Sequence, residues 1–115
     1  MNGLLRFLLS GLAVLLTAYL LPGVDVKHYG YALLAALIIS IFNILIKPIL
    51  IVLTIPITVI TMGLFLLVIN AIIILLVEAV VPGFAVDGFW WALAFSLILS
   101  IFNSIISDIG KKEER

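Results

Sequence analysis

"LPGVDVKHYGYALLAALIISIFN", Leu21 to Asn43, and "VPGFAVDGFWWALAFSLILSIFN", Val81 to Asn103, are two passages of one chain that read alike at an offset of 60 residues. Laying Leu20 to Lys47 on Val80 to Ser107 gives 12 identities in 28 positions, among them Pro22/Pro82, Gly23/Gly83, Val26/Val86, Ala32/Ala92, Leu33/Leu93 and the whole of "SIFN". Shared hydrophobicity alone seldom yields so many. The segments before them match less well, with Gly3/Gly63, Leu4/Leu64 and Leu15-Leu16/Leu75-Leu76 identical. The repeating unit is therefore a helical hairpin: helix, Pro-Gly turn, helix ending in "SIFN". The alternative is convergent use of turn and helix-packing residues.

Composition decides which solvent this hairpin needs. At 66% hydrophobic residues, 10% charged and a mean hydropathy of +1.48, a chain of 115 residues carries more apolar surface than its own core can bury. It belongs in a lipid bilayer. A formal net charge of zero gives no reason to expect nucleic acid, and the lack of cysteine excludes disulfides, thiol chemistry and thiolate metal sites.

A spanning helix needs roughly 20 apolar residues. Four stretches qualify: Leu4 to Leu21, closed by Pro22-Gly23; Tyr29 to Ile46, closed by Lys47-Pro48; Gly63 to Val81, closed by Pro82-Gly83; and Phe89 to Ile106, before the charged "DIGKKEER". Proline cannot continue a helix and glycine takes the turn that follows one. Asp25, Lys27 and His28 are expected in a short polar loop. The N-terminal passage has the outline of a signal peptide, but it lacks a small-x-small cleavage site and its counterpart from Gly63 is internal, so it reads as a retained first span.

The expectation is thus one all-α membrane domain over residues 1–115, with four transmembrane helices as two tandem hairpins at offset 60. Hairpin repeats cover 3–47 and 63–107, a connecting segment covers 48–62, and a charged tail covers 108–115. Lys and Arg mark the cytoplasmic side of short-loop membrane proteins. With both hairpins pointing the same way, Arg6, Lys47, Lys111, Lys112 and Arg115 share one side against Lys27 on the other, which puts both termini in the cytoplasm of a bacterial inner membrane. Tyr29, Tyr31, Phe89, Trp90 and Trp91, just after the Pro-Gly turns, suit an interfacial aromatic belt.

The connecting segment does not fit a plain four-span count. Pro48 to Val77 is 30 residues without a formal charge, about 45 Å as one helix against a hydrocarbon core of about 30 Å. That is too long for one crossing and short for two. Pro48 and Pro56 break it, and Thr54, Thr58 and Thr61 at i, i+4, i+7 share a helical face. Pro48 to Met62 reads as a re-entrant or interfacial piece, with Thr54, Pro56, Thr58 and Thr61 as its candidate lining, allowed at membrane depth where protein or water covers the freed backbone. A fifth crossing, which would invert the second hairpin, is the alternative.

Five polar residues inside the spans stand out. Asn43 and Asn103 occupy equivalent positions, Ser40 and Ser100 lie three residues earlier on the same faces, and Asn70 falls opposite Ser10 in the alignment. Amides in lipid need partners, so these side chains are read as helix-packing contacts, each contributing about 0.6 to 2 kcal/mol; a polar lining for a permeating species is the competing reading. Glu78 is the acidic residue within a span, a candidate functional group by default, although it lies close enough to the outer interface to reach Lys27. His28 reads as a solvated loop residue rather than a pH sensor. Asp25, Glu78 and Asp87 are too scattered to predict a metal site. No phosphate loop, nucleophile–base pairing, HExxH or intramembrane His/Asp pair is present, so neither an enzyme nor a cofactor is expected.

"NILIKPILIVLTIPITVITMGLFLLVINA", Asn43 to Ala71, with "VPGFAVDGFWWAL", Val81 to Leu93, resembles the small bacterial family of four-span, holin-like membrane proteins called YvlD-like and grouped with the mycobacterial-phage holin superfamily IV. Its Lys-Pro, "IPIT" and "GLF" elements are the specific ones. The resemblance implies an integral inner-membrane protein with four spans and no catalytic residues. The leading functional expectation is a non-enzymatic, holin-like component of the envelope that self-associates or packs on other membrane proteins in the bilayer. A minimal channel or transporter is the runner-up, since repeated hairpins and broken helices are how small transporters build a site. An accessory subunit of a larger membrane complex comes third.

Overall fold

The structure, a computed structural model, describes residues 2–113. Arg115, counted in the charge balance above, lies outside them, as does the side chain of Lys112. Six helices and two strands follow in the order α1 (Gly3–Leu20), β1 (Val24–Val26), α2 (Tyr29–Leu45), α3 (Lys47–Leu53), α4 (Ile55–Ile60), α5 (Phe65–Val80), β2 (Phe84–Val86) and α6 (Phe89–Glu113).

Local chemistry sets these limits. Asn2 caps α1 by accepting the Leu5 amide at 2.7 Å, which satisfies one of the donors a helix start leaves free. α1 stops at Leu20, before Pro22. His28, expected as a plain loop residue, caps α2 instead: its Nδ1 accepts the Gly30 amide at 3.2 Å. Pro48 and Pro56 lie in the first turns of α3 and α4, where a missing N–H costs nothing. α4 ends in a Schellman-type turn, Met62 N–H donating to the Val59 carbonyl and Gly63 N–H to the Thr58 carbonyl. Both turn residues have positive φ, 55° at Met62 and 89° at Gly63; the second suits glycine, while the first holds a side chain in a left-handed conformation it disfavours.

The all-α expectation needs one correction. The turns after α1 and α5 are not plain loops: β1 and β2 pair antiparallel, Val24 with Val86, Asp25 with Ala85 and Val26 with Phe84. Two further bonds extend the ladder, from Lys27 N–H to the Gly83 carbonyl at 3.0 Å and from Asp87 N–H to the Gly23 carbonyl at 2.7 Å. Advancing one member of each pair by 60 and setting the other back by 60 returns the same register. Both Pro-Gly turns therefore abut one small sheet.

Around it, α1 packs on α2 and α6, and α5 packs on α6 and α2, closing a ring of four helices. The core runs through Val14, Ala18, Ala32, Ala35 and Ala36 on one side and Ile74, Val77, Ala92, Phe95 and Leu99 on the other, with Phe84 of β2 reaching in from the sheet. Small residues bring backbones close: a Cβ at Gly11 would overlap Leu33. Tyr29 donates from its hydroxyl to the Leu8 carbonyl at 2.6 Å, tying α2 to α1.

α1 and α6 are each long and apolar enough to cross a membrane. α2 and α3 meet that test together but are bent by 41° at their junction. α5 is apolar and shorter, 16 residues, or about 24 Å. α6 also differs from expectation at its end: the charged stretch set apart as a tail from Asp108 continues as helix to Glu113.

Candidate functional site: a polar cleft between the helices

All five polar residues singled out in the spans converge on two adjoining cavities. One, of about 70 Å³, is lined by Ile39, Asn43, Lys47, Asn70, Ile73, Ile74, Ser96, Leu99, Ser100 and Asn103. The other, of about 60 Å³, is lined by Ser10, Val14, Ala36, Ile39, Ser40, Asn43, Leu99 and Asn103. Each admits a few water molecules. Ile39, Asn43, Leu99 and Asn103 border both, so the two Asn residues of the "SIFN" motifs share a single cleft.

The serines are internally satisfied. Ser40 donates to the Ala36 carbonyl at 3.0 Å, Ser100 to the Ser96 carbonyl at 2.7 Å, Ser96 to the Leu93 carbonyl at 2.8 Å and Ser10 to the Arg6 carbonyl at 2.9 Å. Having donated its one proton, each hydroxyl turns only lone pairs outward. The amides are different: among the described residues Asn43, Asn70 and Asn103 make no side-chain hydrogen bond, and neither does Lys47. Asn43 and Asn103 are exposed, while Asn70 and Lys47 are half-buried. The proton donors aimed at the cleft are thus amide N–H groups and one ammonium.

Two lining groups, Lys47 and Ser96, and one residue outside the lining, Ser107, carry no signal of their setting in the sequence. Lys47 reads in the sequence as a helix-ending charge. Ser96 lies 60 places beyond Ala36, so a search for identities at that offset passes over it. Ser107, 60 places beyond Lys47, accepts a hydrogen bond from the Arg6 guanidinium at 2.7 Å; this side-chain contact joins residues 101 apart and only the fold brings it about.

The connecting segment lies outside the cleft. Its apolar residues Val52, Leu53, Ile55, Val59 and Ile60 are exposed, whereas Thr54, Thr58 and Thr61 are half-buried. Thr54 donates to the Leu50 carbonyl at 2.7 Å and Thr61 to the Ile57 carbonyl at 3.0 Å, and Thr61 Oγ1 also accepts the Phe65 amide at 3.1 Å, capping α5. Thr58 Oγ1 is buried without a partner. Pro56 is exposed, and Glu78 is half-buried on α5 near the sheet end. Among the described residues no cluster of His, Asp or Glu could hold a metal ion. Asp25 and Asp87 instead border a groove over Pro22 and Gly23 at the edge of the sheet.

Apolar helices closed into a ring, with a polar cleft among them, define a helical membrane protein of the multi-pass kind. Residues 1–105 match the family described as mycobacterial 4 TMS phage holin, superfamily IV, and the chain belongs to that family. It is 40% identical over 100 residues to the uncharacterized membrane protein YvlD of Bacillus subtilis (strain 168), covering 86% of this chain and 84% of that one. An uncharacterized protein of Streptomyces coelicolor is 44% identical over 75 residues, covering 62% of this chain and 60% of its own. No solved structure matches the chain.

Proposed function

We propose that this is a non-enzymatic, holin-like membrane component that works by associating with copies of itself, the edge of the polar cleft serving as the contact. The observation that carries this reading is the exposure of Asn43 and Asn103, with Ser40 and Ser100 beside them, among outward apolar neighbours, Leu37, Ile41 and Ile44 on α2 and Leu97 and Ile101 on α6. An amide turned toward hydrocarbon is costly, and a second copy presenting the same groups supplies the missing partners. The two cavities of the cleft hold only a few waters each, which supports a contact surface over a conduit at this place.

The reading includes a duplicated hairpin, 3–47 and 63–107, with 48–62 as a re-entrant or interfacial insertion. In its support, β1 and β2 begin 60 residues apart, as do α2 and α6, and the sheet register is reciprocal under the same offset. Both termini on the cytoplasmic side follow from the Lys and Arg count. The test is the oligomeric state of the purified chain in mild detergent, by native mass spectrometry. The unmodified chain is expected as a defined oligomer and the double variant Asn43→Leu/Asn103→Leu as a folded monomer; a monomeric unmodified chain overturns the proposal.

The 41° bend between α2 and α3 and the inward-turned threonines favour a second reading, a minimal channel whose route passes the connecting segment. Thr54→Val with Thr58→Val should then change ion or dye leakage from liposomes with no loss of stability greater than that of the Thr54 hydrogen bond, about 1 kcal/mol. No flux from the unmodified chain for any tested solute removes this reading for those solutes.

A further inference from the structure

We infer that the cavity around Lys47 is a binding site for a single phosphate-type anion, the headgroup phosphate of an anionic phospholipid or a free phosphate ion. The lining carries acceptors, the amide oxygens of its three Asn residues and the lone pairs of Ser96 and Ser100, but its one full charge among the described residues is positive and favours an anion. Lys47 offers an ammonium with three N–H groups, and Asn43 and Asn70 offer two amide N–H groups each. Among the described residues no Asp or Glu lines the cavity, so no carboxylate there competes for the ammonium. A half-buried lysine at a cleft between spanning helices is costly without a counter-charge, and basic pockets in that setting take lipid headgroups.

The 60-residue offset explains why one site is expected rather than two. Each cavity draws an Asn from each "SIFN" motif, yet the residue equivalent to Lys47 is Ser107, and Ser107 is already engaged by Arg6 at 2.7 Å. Arg6 is exposed and does not line the second cavity. Among the described residues the first cavity therefore has a free ammonium and the second has none. The site is complete within one copy and stands independently of self-association.

The test uses the full purified chain in nanodiscs of phosphatidylcholine alone and of phosphatidylcholine with phosphatidylglycerol. Native mass spectrometry counts the lipids retained, and thermal melts are run with and without inorganic phosphate. One retained phosphatidylglycerol per chain, with a raised melting midpoint in the mixed discs only, assigns the lipid phosphate. A midpoint raised by inorganic phosphate in phosphatidylcholine discs assigns the free ion. In either arm Lys47→Gln should weaken binding by about fivefold, the fold-change equivalent to roughly 1 kcal/mol for one basic residue. Lys27→Gln, which makes the same charge change beside the sheet, should leave binding unchanged, and Lys47→Arg should restore most of it. Equal binding by both Gln variants overturns the site. So does an unmodified chain that neither retains anionic lipid above zwitterionic lipid nor responds to phosphate, a result that does not depend on how any variant folds.

Discussion

The turns at the sheet and the segment between α2 and α5 are both connections between apolar helices, yet they are built in opposite ways. At the sheet, Leu21, Val24, Val81, Phe84 and Val86 are buried, and the two turns are locked reciprocally: Trp91 lies against Gly23 and Tyr31 against Gly83, so that a Cβ at either glycine would fall inside the facing ring. In α3 and α4, from Lys47 to Ile60, no residue is fully buried. One connection is held by tertiary contacts and the other by its own helical hydrogen bonds with proline starts. The free energy of folding is therefore concentrated at the sheet end and the ring below it, while the connecting segment is left to meet lipid or another chain.

The largest expected effect tests the first half of that contrast. Phe84 and Phe95 pack edge to face with ring centroids 5.3 Å apart and are buried in the core. The residues 60 places earlier are the smaller Val24 and Ala35, so the pair of rings supplies bulk that those positions do not. Phe95→Ala should cost about 3–5 kcal/mol of stability in detergent. The comparable truncation Ile60→Ala, at a residue 80% exposed in the connecting segment, should stay within about 0.5 kcal/mol. Similar losses at the two positions, read from melts in one detergent, would erase the distinction.

Next come the reciprocal glycines. Gly23→Ala and Gly83→Ala each force an aromatic ring out of its seat, at about 1–3 kcal/mol, and the two costs should be alike because the contacts are alike. Gly3→Ala, where nothing lies within 4 Å of the new methyl, serves as the control and should change little. A large asymmetry between Gly23 and Gly83 would show that only one turn is locked.

These contacts also mark the boundary of what the sequence discloses. Pro22-Gly23 and Pro82-Gly83 stop helices for local reasons, so the spans from Tyr29 and from Phe89 were legible, with starts at the residues expected. The strands were not: three residues each, "VDV" and "FAV", are too short for a period-two pattern to register, and each finds its partner across 60 residues. The cleft was half legible. Asn43, Asn70 and Asn103 are conspicuous because an amide in an apolar run is rare, whereas Lys47 reads as a helix terminus and Ser96 as an ordinary helical serine until α5 and α6 are placed around them.

A smaller effect separates the cleft from both connections. Asn43→Leu or Asn103→Leu should shift stability of the assembled protein by about 0.5 to 2 kcal/mol, the range of a polar contact between membrane helices. The loss should depend on protein concentration, because the amides make no hydrogen bond within one copy among the described residues. A concentration-independent loss of the same size would place their partners inside the chain and remove the argument for self-association at this edge.

The smallest effect carries a sign rather than a size. Thr54 and Thr61 return their hydroxyl protons to carbonyls four residues back, at Leu50 and Ile57. Thr58 has the same opportunity, since its own amide already donates to the Thr54 carbonyl at 2.8 Å, yet its hydroxyl is buried with no partner. Valine keeps the shape and removes the unsatisfied group, so Thr58→Val should be neutral or stabilising by up to about 1 kcal/mol, whereas Thr54→Val gives up a made bond at a cost of about 1 kcal/mol. Melts of the two variants in the same detergent decide it. If Thr58→Val is the more destabilising of the pair, the hydroxyl is engaged by water or by another copy, and the connecting segment is a contact surface like the cleft rather than a self-contained linker.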